Sequence, residues 1–495
     1  MLTQRKSMNE YINYKDTNFV DIIDDTRLLN LSKDSNDYLF LQTPQNEQFV
    51  HTLPAYIRVI QRDSLHSYFN TDIKIIGVTG TNGKTTTTAA IYSLLLDSGC
   101  SVALLGTRGM FINGKRIKPK GLTTPTLLEL YKDIDIAVKA GCEYFIMEVS
   151  SHAIKQERIY GLRFFMKIIT NITSDHLDYH KTWEDYAETK IRFLRDQECI
   201  KIINLDDSSV ANMRFLKNVF SYGVESKGNL FVNAYSLNQG IFAGIMLVLP
   251  QLIKQKSIDS KTLGKSMQNS SSHAKTQEAT LNIGLFGLFN LYNSLAALLA
   301  VKLITKASLQ NVCNLFENFG GVEGRMEVIS TDPLIIIDFA HTTDGMKQVF
   351  ESFKTRNISV VFGAGGDRDK SKRAKMGECA AIYAKRIYIT NDNPRGEDPN
   401  QIAKEILAGV RSRIATQYGL SDSGLDSNMD YIACSRIFAK VILDRKDAIS
   451  LAIKEMPKDY VLLVLGKGDE DVQIFKDNKI PFSDKKCVLE VLNNI

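Results

Sequence analysis

The run Gly77-Val78-Thr79-Gly80-Thr81-Asn82-Gly83-Lys84-Thr85-Thr86 narrows what this chain can become more than any other stretch. Ahead of it, Ile73 to Val78 is apolar and β-branched, the pattern of a strand buried on both faces. Behind it, Thr87 to Leu96 repeats apolar residues at helical spacing. Strand, glycine-rich turn and helix N-terminus together make an anion site, because unpaired backbone N–H groups and the positive end of the helix dipole converge on one point. In such a loop Lys84 reaches terminal phosphates and the Thr85 hydroxyl ligates Mg²⁺, with Gly80, Thr81, Asn82, Gly83 and Thr86 lining the turn. The strict eight-residue pattern departs at its first position, where Val78 stands for Gly. A plain glycine-rich turn with a solvated lysine is the competing reading.

The rest of the chain must explain what the phosphate is for. At 495 residues it is too long for one core and reads as several domains. No apolar run approaches the roughly 20 residues that cross a bilayer. The N-terminal segment has no apolar signal region, and the seven cysteines are scattered without metal spacing. A cytoplasmic protein with reduced thiols is expected. The net charge of +5 is spread out rather than gathered into a basic stripe, which fits acidic small-molecule substrates better than nucleic acid.

Strands and helices alternate from about residue 73, predicting an α/β chain of doubly wound, mostly parallel sheets with sites at the strands' carboxyl ends. Three units are expected: a small α/β domain over 1–72, a central phosphate-loop domain over 73–320 closing at Gly320-Gly321, and a C-terminal Rossmann-like α/β domain over 321–495. The polar stretch between Pro250 and Thr280 reads as a loosely held surface insertion.

Each predicted strand ends in residues able to do chemistry. Glu148 follows one strand on the edge that carries the phosphate loop, where a carboxylate would suit Mg²⁺. Asp175, His176, Asp178 and His180 follow the next. Histidine is scarce, seven in all, yet His152, His176, His180 and His341 all fall in such loops. Lys190 lies on a predicted helix, Thr182 to Leu194, and by spacing alone is a surface lysine. Asn290 and Asn293, three apart at a helix start, suit either capping or ligand contact. In the last domain Asp338 and His341, the loop Gly363 to Arg373, Asp392-Asn393-Pro394-Arg395 and Gly466-Lys467-Gly468-Asp469-Glu470 all follow strands. Arginines beside glycine-rich turns suit bidentate capture of carboxylates.

Assembled in order, these motifs resemble the Mur ligases of peptidoglycan synthesis. The resemblance runs over nearly the whole chain: Asp25-Thr26-Arg27, the phosphate loop, Thr123-Thr124-Pro125, Glu148-Val149-Ser150-Ser151-His152, Asp175 to His180, Phe289-Asn290 to Asn293, Gly324-Arg325-Met326-Glu327, Asp338 to His341 and Asp392 to Arg395. It implies a UDP-binding domain, a central ATPase and a C-terminal domain that brings an amino acid. It also implies ATP-dependent amide formation through an acyl phosphate, acting as a monomer on small molecules with no membrane or nucleic-acid partner. By the same resemblance, Lys84, Thr85, Asn290, Arg325 and Asp338 serve ATP, and Glu148 and His176 bind Mg²⁺. Lys190 stands where the family carries an N-carboxylated lysine, which would turn a cation into an oxygen ligand. Lys84, His176 and Lys190 are the implied catalytic set, and Thr26, Thr123, Thr124, Ser150, Gln156 and Arg158 match positions that hold UDP-MurNAc-L-Ala-D-Glu.

The Asp392-Asn393-Pro394-Arg395 loop resembles the form that takes meso-diaminopimelate rather than lysine. Diaminopimelate carries a second α-carboxylate, for which Arg395 with Arg373 is the expected clamp, Gly466 and Glu470 holding the distal end. Sites built for a polar group reject analogues lacking it. The alternatives are the same ligase taking L-lysine, or a folylpolyglutamate- or cyanophycin-type glutamate ligase. Two positions depart from the pattern: Asp469 replaces a usual His, and Thr26 replaces a commoner Ser.

Overall fold

The structure is a computed structural model describing residues 21–29, 38–173, 177–195, 198–238, 240–249, 275–305, 307–418, 431–433 and 437–494. The chain divides into two compact units, one of residues 1–172, 182–228 and 296–306, the other of 173–181, 229–295 and 307–495. No described helix is long and apolar enough to cross a membrane.

In the first unit the strands run across one sheet in the order Val219–Gly223, Ile200–Asn204, Phe164–Ile169, Lys74–Thr79, Tyr144–Glu148 and Val102–Gly106, all parallel. An antiparallel edge, Gly109–Ile112 and Lys115–Lys118, follows. Ile76, Val78, Phe145, Ile146, Met147 and Ile168 are fully buried, as uninterrupted apolar runs require when both faces are covered. A small parallel sheet of Asp21–Ile23, Tyr38–Leu41 and Arg58–Ile60 sends Ile22, Leu39, Leu41 and Ile60 into the same core as Ile75 and Phe145.

In the second unit the order is Glu327–Thr331, Leu334–Asp338, Tyr460–Leu465, Asn357–Phe362, Arg386–Ile389, Phe438–Val441 and Tyr431–Ala433, parallel except at the two edges. Alternate residues feed opposite cores: Ile336, Leu463 and Leu465 one, Ile335, Ile337, Leu462 and Val464 the other. The mostly parallel α/β architecture expected from the alternation is therefore present.

Three local readings are extended or corrected. The phosphate-loop helix spans Lys84–Asp97, starting before Thr87, because the chain turns at Gly83 (φ +85°) and the threonines occupy the first helical turn. The helix whose start is expected around Asn290 and Asn293 spans Leu288–Ile304 and so contains both residues. Overlapping the end of the 250–280 stretch expected as a loose insertion, Lys275–Ile283 is a strand paired antiparallel with Ile241–Leu249. Its polar residues alternate with an inward face of Gln277, Ala279, Leu281 and Ile283, a period of two masked by low hydrophobicity. The remainder of that stretch, up to residue 274, lies outside the described residues, as do Asp175 and His176.

Candidate active site

The phosphate loop is braced from the strand beside it. Thr81 N–H donates to the Asn171 carbonyl (2.9 Å), Asn82 N–H to Asn171 Oδ1 (2.9 Å) and Thr170 Oγ1 to the Asn82 carbonyl (2.6 Å). Gly80 cannot be replaced here, since a Cβ on it would stand 1.9 Å from Thr170 Oγ1. Tyr186 places its hydroxyl 3.0 Å from Thr81 Oγ1. Lys84 Nζ lies over the turn, donating to the carbonyls of Gly80 (2.8 Å) and Thr81 (2.9 Å).

Lys190 is 1% exposed, which overturns the surface reading from spacing. It shares the buried stripe of the helix Trp183–Arg195 with Tyr186, Ala187, Phe193 and Leu194. Its Nζ donates to the Gly80 carbonyl (2.9 Å) and lies 4.7 Å from the centre of the Tyr186 ring. Both lysines thus converge on one carbonyl of the phosphate loop.

Glu148 is buried at the end of its strand. One carboxylate oxygen accepts from Thr85 Oγ1 (2.9 Å) and the other from Thr107 N–H (3.0 Å). Two hard oxygens, Thr85 Oγ1 and Glu148 Oε2, therefore stand together beside the phosphate loop, a donor pair suited to Mg²⁺.

The residues expected to hold a UDP-sugar-peptide divide into two groups. Thr26, Gln156 and Arg158 line one cleft of about 600 Å³, together with Asp25, Arg27, Thr43, Asn46 and Arg62. Asp25 pairs with Arg27 through both carboxylate oxygens, which holds its carboxyl down to about 2. Thr124 and Ser150 instead build the cleft's support. Thr124 Oγ1 donates to the Glu148 carbonyl (2.9 Å) and accepts from Ser150 N–H (3.1 Å), while Ser150 Oγ caps the helix Ser151–Lys155. Arg158 joins the groups, donating to the Thr124 carbonyl (2.7 Å) and to Gln156 Oε1 (2.7 and 3.0 Å). Thr123 Oγ1 meets Thr107 Oγ1 at 3.0 Å.

In the second unit Asp338 accepts from the N–H groups of Met326 and Ala340, both at 2.7 Å. Burial pushes its carboxyl upward, opposed by Arg325 and those two N–H groups. Arg325 stacks on Phe339, 4.1 Å from the ring centre. Asn290 Nδ2 donates to the Phe286 carbonyl (2.9 Å), and its Oδ1 accepts from Asn293 (3.2 Å).

The loop Asp392 to Arg395 is fixed from below. Asn393 Oδ1 accepts from Ile474 N–H (2.9 Å) and from the fully buried Lys467 Nζ (3.2 Å), and its Nδ2 donates to Glu470 Oε2 (2.9 Å). Lys467 also pairs with Glu470 at 2.8 Å. Gly466, at φ +110°, faces Asp392 so closely that a Cβ would lie 2.5 Å from Asp392 Oδ2. Arg395 holds a left-handed backbone (φ +49°), uncommon for a bulky residue and a mark of strain kept by its surroundings. Its Nη1 donates to the carbonyls of Gly366 (2.9 Å) and Asn393 (3.4 Å). Among the described residues no carboxylate pairs with it, so its charge is available to a ligand.

Arg373 is placed differently from the expected clamp. Its side chain is wholly buried and committed to Glu397 and Glu405, so it has no fork left to offer a substrate. The exposed arginine of that loop is Arg368; a Cβ placed on Gly365 would stand 3.7 Å from its Cγ and 2.9 Å from Arg395 Nη1.

Two families of sequence match this chain: a Mur ligase middle domain over residues 78–301 and the Mur ligase glutamate ligase domain over 324–468. The chain belongs to the Mur ligase family. Among relatives of this Mur ligase, the UDP-N-acetylmuramoyl-L-alanyl-D-glutamate–2,6-diaminopimelate ligase of Wolinella succinogenes is 50% identical over 437 residues, covering 88% of each chain. The enzyme of the same name from Helicobacter hepaticus is 45% identical, covering 96% of this chain and 97% of its own. A solved structure of a ligase with that name superposes with a TM-score of 0.61 at 25% identity over 96% of this chain and 95% of the other. Folylpolyglutamate synthase of Mycobacterium tuberculosis shares the fold at a TM-score of 0.56, with 14% identity and coverage of 82% of this chain and 91% of the other.

Sequence reasoning about this Mur ligase missed several residues that shape the site. Asn171 carried a signal, as a polar residue directly after a buried strand. Lys467 sat in a noted Gly-Lys-Gly turn without a role. Tyr186 reads as core aromatic by its spacing, and only its hydroxyl distinguishes it.

Proposed function

We propose that this Mur ligase joins meso-2,6-diaminopimelate to UDP-MurNAc-L-Ala-D-Glu with the hydrolysis of ATP to ADP and phosphate. In this reading residues 1–72 receive the UDP end, 73–320 bind ATP and 321–495 bring the amino acid. The terminal carboxylate of the nucleotide-peptide attacks the γ-phosphorus and ADP departs, leaving an acyl phosphate. The diaminopimelate amine then attacks the acyl carbon, loses a proton and expels phosphate as the amide forms. Lys84 and the backbone N–H groups of the loop offset charge on the phosphate oxygens during transfer. Thr85 and Glu148, joined by His176 and a carboxylated Lys190, would hold Mg²⁺, which when bound supplies further neutralisation of that charge. By the family pattern Asn290, Arg325 and Asp338 would serve ATP, and Thr26, Gln156 and Arg158 the UDP end.

The observation that carries the choice of amino acid is Arg395. Its guanidinium is aimed by two carbonyls and paired with no described carboxylate, while Asn393 of the same loop and Glu470 are locked by Lys467. A cation held in that way suits the second α-carboxylate of diaminopimelate, which lysine lacks. Phosphate release by the purified enzyme with UDP-MurNAc-L-Ala-D-Glu and ATP, given meso-diaminopimelate or L-lysine in parallel, tests the reading. Diaminopimelate should be preferred by orders of magnitude, and a preference for lysine would overturn it.

A further inference from the structure

Two strand-end loops carry the residues assigned above to diaminopimelate: one begins at Asp392, the other at Gly466. One buried side chain touches the backbone immediately before both. Arg445, at the start of the helix Arg445–Lys454, donates from Nη2 to the Leu465 carbonyl (2.9 Å) and from Nη1 to the Asn391 carbonyl (3.3 Å). The same guanidinium is gripped by Asp484, Nε to Oδ1 and Nη2 to Oδ2 both at 2.7 Å, and neither side chain is exposed at all. Asp484 is itself anchored in the first turn of the helix Asp484–Leu492, where the dipole favours a carboxylate.

We infer that Arg445, oriented by Asp484, is a positioning residue that sets the spacing of the Asp392–Arg395 and Gly466–Glu470 loops and thereby the affinity for the incoming amino acid. A buried ion pair of this kind is weak as a source of stability, because desolvation offsets most of the attraction. What it supplies is direction. The rigid guanidinium fork serves one carboxylate and two carbonyls at fixed angles, which the point charge of a lysine cannot do. The two carbonyls lie one residue before Asp392 and Gly466, where the residues come so close that a Cβ on Gly466 would stand 2.5 Å from Asp392 Oδ2. A shift of either strand end is therefore passed directly to the substrate loops. Gln473 Nε2 also reaches the Asn391 and Asp392 carbonyls (3.4 and 3.2 Å) but makes no bond to the Gly466 loop, so it does not couple the two.

This inference rests on the proposed amino-acid site, so Arg395→Lys serves as the reference variant. Two further variants, the apolar pair Arg445→Met/Asp484→Leu and the cation-retaining Arg445→Lys, are assayed for the KM of each substrate, kcat and melting temperature. Buried pairs often tolerate apolar replacement without loss of fold, and Arg445→Lys supplies the test if the double variant fails to fold. The expected result is a KM for meso-diaminopimelate raised tenfold or more in both, with KM for ATP and for UDP-MurNAc-L-Ala-D-Glu within twofold of the parent. An unchanged diaminopimelate KM beside a raised value for Arg395→Lys would overturn the positioning role alone. A rise shared by all three substrates, following the melting temperature, would overturn it equally. No rise in Arg395→Lys would remove the site assignment, and the inference with it.

Discussion

Arg373 and Glu397 face each other as two parallel forks, Nη2 to Oε1 at 2.9 Å and Nη1 to Oε2 at 3.0 Å, and so stitch the helix after the Gly363 loop to the chain just beyond Arg395. Glu397 also accepts from Asp367 N–H at 2.6 Å. An arginine of the expected substrate clamp is thus part of the wall that holds the clamp's loops.

The pairing carries a pH signature. The Arg373 fork, aided by Asp367 N–H, holds the Glu397 carboxyl down to about 2 from an ordinary 4.5. A carboxylate depressed on folding contributes stability that is whole above its unfolded value and is lost as pH falls towards the folded one. Acid denaturation of the parent should therefore steepen between about 4.5 and 2. Glu397→Gln should flatten that part of the profile and cost about 1.5–3 kcal/mol at neutral pH, the usual loss for a hydrogen bond to a charged group. Denaturant melts at pH 3 and 7 measure both; parallel losses at the two values would contradict the account.

Arg395→Lys should raise the KM for meso-diaminopimelate by roughly 10- to 100-fold, since a lost charge-assisted contact is worth about 1.5–3 kcal/mol. The KM for ATP should stay within twofold. Initial-rate phosphate release at saturating co-substrates separates the two, and an unchanged diaminopimelate KM would show that Arg395 is no clamp.

How much of this was legible beforehand follows from what each residue's neighbours are. The phosphate loop and the strand-end motifs are local in sequence, so Gly80 to Thr85, Glu148 and Asp392 to Arg395 could be picked out as candidates from spacing and order. Lys190 could not be read from spacing, because a helical period marks a buried stripe but not which polar member the stripe tolerates. Only the family resemblance singled it out. Arg373 and Arg368 are five residues apart in one basic loop, and nothing local says which is swallowed by Glu397 and Glu405 more than twenty residues later. Arg445 and Asp484 carry no motif at all, since their meaning lies in two carbonyls supplied by distant strands.

Glu148→Gln should raise the Mg²⁺ concentration needed for half-maximal activity by about 10-fold or more, since losing a group that merely orients a metal ligand already costs about 10- to 100-fold. The amide keeps one oxygen but loses the charge, and the bonds from Thr85 and Thr107 now compete for it. Melting temperature should move little, because the strand's apolar burial is untouched. Titration of activity with MgCl₂ at fixed ATP decides, and an unshifted midpoint would take Glu148 out of the metal site.

Gly466→Ala separates loop spacing from charge. The added methyl would sit 2.5 Å from Asp392 Oδ2, on a backbone at φ +110° that an L side chain rarely adopts. Such a backbone costs about 1–3 kcal/mol when forced on a non-glycine residue. Asp392 must give way, and Asn393, tied to Lys467 and Glu470 (3.2 and 2.9 Å), is dragged with it. The KM for diaminopimelate should rise at least tenfold although no charged group has been removed, and isothermal titration with ATP alone should give a Kd within twofold of the parent. A parental KM for diaminopimelate in a folded Gly466→Ala enzyme would mean that the two loops adjust independently, and that their close contact has no part in amino-acid selection.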